Sequence, residues 1–171
     1  GLVKRLNKDL ANDLGNLVSR TLNMIQKYFD GKIPAPSASE DADRALLTAA
    51  QALPGKLETL YDNIALTEIL QVIWELISLA NKYVEENKPW SLAKDPTQKN
   101  RLGTVLYHLS ECVRLTAYAV APYMPETFDK IMRQLGCDES SKKLNWNTAA
   151  RWGGLTAGQS IALGEVLFPR V

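Results

Sequence analysis

Asn7-Lys8-Asp9-Leu10-Ala11-Asn12-Asp13-Leu14-Gly15-Asn16-Leu17-Val18-Ser19-Arg20-Thr21-Leu22-Asn23-Met24-Ile25 separates into two faces when wound as a helix. Val3, Leu6, Leu10, Leu14, Leu17, Val18, Thr21, Met24 and Ile25 recur at three and four residues, the spacing that buries one side of a helix against a core. Asn12, Asn16, Ser19, Arg20 and Asn23 form a narrow stripe on the opposite side. A solvated helix face is usually built from Glu and Lys at four-residue spacing, because such pairs support the helix. Asparagine supports it little, since its short amide competes for the backbone. Three Asn in register with an Arg therefore point outward as hydrogen-bonding groups. An amide offers donor and acceptor together and a guanidinium offers a rigid donor fork, the groups that read base edges. The bland alternative is an ordinary polar surface, which is the rule for helices.

Outward from this helix, punctuation marks off the others. Asp30-Gly31 ends the first, which is expected over about Val3 to Phe29, because glycine accepts a left-handed helix stop. Ile33 to Ser39, with two prolines, is a loop, and Ser39 with Glu40, Asp41 and Asp43 behind it opens a second helix, its acids on the positive end. Pro54-Gly55 is expected to kink or briefly break that helix. Asp62 or Asn63 caps a third, in which Ile64, Leu66, Ile69, Leu70, Ile73, Trp74, Leu76, Ile77, Leu79, Ala80 and Val84 cover much of the circumference. That predicts the central helix of a bundle. It stops at Asn87-Lys88-Pro89, since the residue before a proline is pushed out of helical conformation. A fourth helix starts near Thr97 and ends before Pro122, and a fifth runs from Pro125 to Leu135, closed by Gly136. Beyond Cys137 the periodicity is lost. The reading is an all-α antiparallel bundle of about five helices over 1–136, with an irregular C-terminal extension over 137–171 packing back on it as part of a single domain.

Composition narrows the function. At 171 residues the chain can bury a substantial core, and a net charge of +1 excludes the broad basic footprint of a DNA-coating protein. No metal-ligand spacing joins the two cysteines to the single histidine, His108, which is expected to be a satisfied core residue, as Cys112 is a small buried hydrophobe. There is no Gly-rich phosphate loop, signal peptide or membrane-length apolar run, so a cytoplasmic protein without membrane attachment is expected. Asp9 and Asp13 on the flank of the first helix are expected to pair with nearby Lys and Arg. The pattern is already helical at Leu2, with no capping residue before it, so the chain reads as part of a longer polypeptide.

Trp90 remains to be placed. Directly after Pro89, it either folds inward as a core staple or stands out as a platform on which an unpaired base stacks. If the first helix and the end of the third are neighbours, the platform would lie beside Asn16 and Arg20.

Asp9 to Arg20 resembles the first helix of the anticodon-binding domain of methionyl-tRNA synthetases. Lys88-Pro89-Trp90-Ser91-Leu92-Ala93-Lys94 resembles that family's Pro-Trp motif, preceded by a fitting Asn81-Lys82-Tyr83-Val84. Leu167-Phe168-Pro169-Arg170 resembles the peptide closing the domain in bacterial members. The resemblance spans nearly the whole chain. It implies the helical bundle of class I aminoacyl-tRNA synthetases and a partner, the CAU anticodon loop of methionine tRNAs. It further implies that Asn16 and Arg20 contact the first anticodon base, a cytosine, that Trp90, set by Pro89, stacks on splayed bases, and that Asn12 supports them. Gly15 would let the RNA backbone approach. The full enzyme would join methionine to tRNA using ATP and magnesium. The nucleotide-binding motifs His-x-Gly-His and Lys-Met-Ser-Lys-Ser are missing from this chain, and the polar segment 138–143 does not replace them. The expectation is therefore an anticodon-reading domain with no cofactor and no catalytic site of its own, partnered by the catalytic domain of the same polypeptide, with no DNA role. The competing expectations are a protein-interaction bundle that never touches RNA and the anticodon-binding domain of another class I synthetase.

Overall fold

The computed structural model describes residues 1–63, 65–137 and 151–164, without the side chains of Leu2, Val3 and Leu6. The expectations for Ile64, for the polar segment 138–143 and for Leu167 to Arg170 lie outside the described residues. Helix α1 spans Leu2–Phe29, α2 Arg44–Asp62, α3 Leu66–Asn87, the single turn α4 Pro89–Leu92, α5 Lys99–Val120 and α6 Pro125–Gln134. Short 3-10 turns at Asp41–Asp43 and Pro96–Gln98 lead into α2 and α5. The fold is all-helical, and the described residues contain no strand, only an isolated antiparallel bridge between Lys32 and Ser160.

The apolar side of α1 is buried as its spacing predicts, with Leu10, Leu14, Leu17 and Ile25 fully inside and Leu22 joining them. Asp30 ends the helix in left-handed conformation at φ 55°, followed by Gly31 at φ 75°. Three boundaries differ from the sequence expectation. Helix α2 runs through Pro54 unbroken. Its entry is capped by Glu40 and Asp43, whose side chains bind each other's backbone in a capping box, and not by Ser39. Helix α3 begins after Ala65 with no side-chain cap, so neither Asp62 nor Asn63 serves.

The central helix is α5, not α3. Every residue from Leu102 to Val120 is buried, polar ones included. Helix α3 keeps an exposed edge at Glu75, Lys82, Glu85 and Glu86. The polar residues of α5 hide its burial in the sequence, and several of them are satisfied inside the fold. Ser110 donates to the Leu106 carbonyl at 2.7 Å, and Tyr107 to the Leu155 carbonyl at 2.9 Å. Glu111, fully buried, forms an ion pair with Arg114 at 2.8 Å and accepts the backbone N–H groups of Gly153, Gly154 and Leu155.

That carboxylate fastens the segment 151–164 to the bundle. The segment also exchanges backbone hydrogen bonds with the loop after α1, Ile33 N–H to Gln159 O at 2.9 Å and Ile161 N–H to Gly31 O at 2.8 Å. Gly136 closes α6 at φ 78°, where an added Cβ would strike the Ser160 carbonyl.

Candidate nucleic-acid interface

Helices α1 and α3 run side by side in the same direction. The indole N–H of Trp74 donates to Asp13 Oδ2 at 2.7 Å, and the Asn81 amide reaches the Asp13 carbonyl at 3.3 Å. One turn or two further on, Arg20 binds Glu85 at 2.5 Å, with the two side chains 35% and 63% exposed. Asp13 therefore pairs with an indole of α3, where a Lys or Arg partner was expected. The reason is that its flank of α1 faces α3.

This pairing sets the stripe. Asn12 and Asn16 are exposed one turn apart, and Arg20 follows, half-buried, with its guanidinium drawn toward the last turn of α3. Asn23 donates to Ser19 Oγ at 3.2 Å, so those two partly satisfy each other. Asn12, Asn16 and Arg20 thus follow one another at four-residue spacing along α1, and of the three Arg20 is tied to the last turn of α3.

The same half of α3 leads to the Pro-Trp pair. Lys88 turns the chain in left-handed conformation at φ 47°, which a lysine adopts only at a cost, and Pro89 opens α4. Within that single turn Pro89 is buried and Leu92 and Ala93 pack against the core, the spacing of one helix face. Trp90 is on the other side, 38% exposed. The indole is not a core staple.

Behind this junction lies a polar cluster that sequence reading missed. Asp43 is fully buried. Its carboxylate accepts the Tyr83 hydroxyl at 2.6 Å, both terminal nitrogens of Arg101 at 2.8 Å, and the Glu40 N–H at 2.8 Å. Burial alone would push the carboxyl up, but the bonds from Arg101, Tyr83 and the Glu40 backbone, with the Arg101 charge, outweigh it and hold the group well below the usual carboxylate range. His108 Nδ1 lies 3.1 Å from the Tyr83 oxygen. Because the Tyr83 proton is committed to Asp43, this contact requires Nδ1 to donate. Burial lowers the His108 pKa; Asp43 opposes this and Arg101 adds to it. The ring is a satisfied core group.

Residues 33–171 match a family model described as the anticodon binding domain of methionyl tRNA ligase. The chain belongs to this family. The family model begins after α1, and the ligases that follow align with the chain along its whole length, α1 included. A methionine–tRNA ligase of Caldanaerobacter subterraneus is 47% identical over 170 residues, 99% of this chain and 26% of that protein. The methionine–tRNA ligase of Bacillus subtilis is 41% identical over 172 residues, 100% of this chain and 26% of that protein. Mycobacterium tuberculosis methionyl-tRNA synthetase in complex with methionyl-adenylate superposes with a TM-score of 0.88 at 38% identity, covering 98% of this chain and 33% of that one. The chain thus spans about a quarter of the length of these two ligases. As an anticodon-binding domain it presents two kinds of group at its surface, polar side chains along α1 and an indole on α4. Sequence reading named Asn12, Asn16, Arg20, Pro89 and Trp90 but not Glu85, the acid that holds Arg20. The only signal for Glu85 was an acid in the last turn of the third helix.

Proposed function

We propose that this domain reads the CAU anticodon of methionine tRNAs. In this reading Trp90 stacks on bases drawn out of the loop, while Asn16 and Arg20 meet the first anticodon base, a cytosine, with Asn12 in support. The observation that carries it is the exposed indole of Trp90 on a buried proline, directly after the helix end to which Glu85 draws Arg20. Unstacked bases read by aromatic faces and edge-directed amides are the usual route to sequence-specific RNA recognition. The protein-interaction alternative requires an inward Trp90 and an Asn16 facing another helix. Both residues are exposed.

The complete polypeptide would be a cytoplasmic methionine–tRNA ligase whose linked catalytic domain uses ATP and magnesium. This domain would select the tRNA that the catalytic domain charges. The near-neutral charge of the chain fits recognition by a local site with modest phosphate contribution.

The test is competition among anticodon stem-loops that differ only in the anticodon. The CAU stem-loop should displace the others, and both Trp90→Ala and Arg20→Ala should weaken its binding by about 1–3 kcal/mol, the range for a lost stack or base contact. Equal competition by unrelated anticodons, or unchanged binding by both variants, would refute it.

A further inference from the structure

Trp90 hangs from the end of α3 by two unusual residues, the left-handed Lys88 and the buried Pro89. Neither fixes where the helix end itself sits. Tyr83 and Val84 anchor the turn before it in the core and Glu85 binds Arg20, while Asn87, the last residue of α3, makes the contact nearest to Lys88 and Pro89. Its amide nitrogen donates to the Tyr83 carbonyl at 2.9 Å, one turn back. Its amide oxygen accepts Arg101 Nη2 at 2.8 Å. Arg101 comes from α5, only 11% of its side chain exposed, and is clamped at both terminal nitrogens by the buried Asp43 carboxylate. Glu40 adds a third charge contact to Arg101 at 3.5 Å. The guanidinium fork therefore joins the entry to α2, the first turn of α5 and the end of α3.

We propose that Arg101 and Asn87 are positioning residues for anticodon recognition, a latch that holds the last turn of α3 at the height and angle at which Trp90 meets an extruded base. The inference rests on the reading of Trp90 as a base platform. A guanidinium suits this role because its planar fork can hold a carboxylate and an amide oxygen at once in fixed directions. A lysine ammonium, a point charge on a flexible stem, cannot fix both. The bond to Asn87 is the part of the cluster that reaches the helix end. Cutting it leaves the Asp43–Arg101 pair and the core intact. An undocked end would sample several orientations, and binding would carry the cost of selecting one.

The test is a double-mutant cycle between Asn87→Ala and Trp90→Ala, read by binding of a CAU anticodon stem-loop RNA to the 171-residue chain. Asn87→Ala should weaken binding about three- to tenfold in the parent, as expected for neighbouring residues that couple. In the Trp90→Ala background it should weaken binding no further. Arg101→Lys, which keeps the charge against Asp43, should reproduce the loss and the same coupling. A merely structural role would lower the thermal midpoint and weaken binding equally in both backgrounds, and that result overturns the proposal, as does unchanged binding by Asn87→Ala. If Asn87→Ala does not fold, Arg101→Lys alone decides by the same criterion. Should Trp90→Ala bind as tightly as the parent, the platform reading falls and the latch with it. That failure is recognised in the Trp90 single variant, before either latch variant is considered.

Discussion

Asp43→Asn is the sharpest perturbation of the buried cluster, because it changes charge and one hydrogen-bonding atom with almost no change in shape. In the parent, four donors converge on one carboxylate with no exposure to water. The amide presents one oxygen and one NH2 to the same donors. At least one donor then faces another donor, and the Arg101 charge loses its buried partner, keeping only the more exposed Glu40 at 3.5 Å. Removing one member of a buried pair costs about 3–5 kcal/mol. For a domain of this length each kcal/mol moves the thermal midpoint by about 2–4 °C, so a fall of about 6–20 °C is expected. Urea denaturation at neutral pH should show a lower midpoint with an unchanged slope, since the core surface exposed on unfolding is the same. The double variant Asp43→Asn with Arg101→Gln should lose less than the two single losses combined, because each then removes the other's stranded charge or donor. The pH dependence follows from the sign of the shift. Asp43 is held below its ordinary 3.8, so its contribution is complete above that value and is lost as pH falls through the lower, folded value. The Asn variant should lack that acid-side decline. A loss below about 1 kcal/mol, or an acid limb identical to the parent's, would refute the account, since a cost that small is what an ordinary surface pair is worth.

Trp90→Ala should leave stability within about 0.5 kcal/mol of the parent in thermal unfolding while binding of the CAU stem-loop falls; a large loss of stability would mean the indole works inward after all. Glu111→Gln should release the segment at Gly153 to Leu155, seen as faster amide hydrogen exchange there and a lower thermal midpoint, because a neutral amide with a single oxygen cannot accept all three backbone N–H groups; unchanged exchange would show that other contacts hold the segment. His108 is held below its ordinary 6.5, so the fold favours the neutral ring. Its contribution is complete above that value and declines as pH drops through it toward the folded value, a limb that His108→Gln should remove from a stability-against-pH curve. Trp74→Phe should cost about 1.5–3 kcal/mol by taking the indole N–H from Asp13, and an unchanged midpoint in urea would count against that bond as a fastener of α1 to α3.

How far the sequence discloses this molecule depends on which physical signal each part leaves. Helices α1, α3 and α6 announce themselves by apolar spacing and by Gly or Pro at their ends, and the stripe on α1 and the Pro-Trp pair are visible as residue types in an unusual place. Helix α5 does not announce its centrality, since Thr104, His108, Ser110, Glu111, Arg114 and Thr116 count as polar in any hydropathy reading yet are buried. Thr104 and Ser110 find carbonyls one turn back, but the burial of His108 and Glu111 depends on partners distant in sequence, Tyr83 for His108 and Gly153 to Leu155 for Glu111. Asp43 misleads for the same reason: at a helix entry it reads as an acid on the positive end, while its main partners lie forty residues or more ahead. Pro54 misleads in the other direction. Its penalty is local, and the burial of Leu46, Ala50, Leu53 and Leu57 on one face outweighs it, so the helix continues.

Departures from local preference occur at several places, the left-handed Asp30 and the buried Glu111 among them, but three of them meet at one. A lysine in left-handed conformation, a fully buried carboxylate and a partly exposed indole all fall around the end of α3. The left-handed residue costs about 1–2 kcal/mol, and an indole left at the surface forgoes part of its burial gain. A chain selected only for stability would place a small polar residue at Lys88 and turn Trp90 inward. Local conflicts that the rest of the fold sustains tend to mark sites of function. Here the surrounding structure supplies the means: Pro89 and Leu92 of α4, with Ala93 just after it, pack inward, and the indole is left at the surface. Exchanging Lys88 for glycine separates the two explanations of this geometry. If the left-handed turn is only a tolerated defect, Lys88→Gly relieves its strain, stabilises the domain by about 1 kcal/mol and leaves RNA binding unchanged. If the turn is held in order to aim Trp90, the added backbone freedom loosens the aim, and affinity for the CAU stem-loop falls even as the strain is relieved.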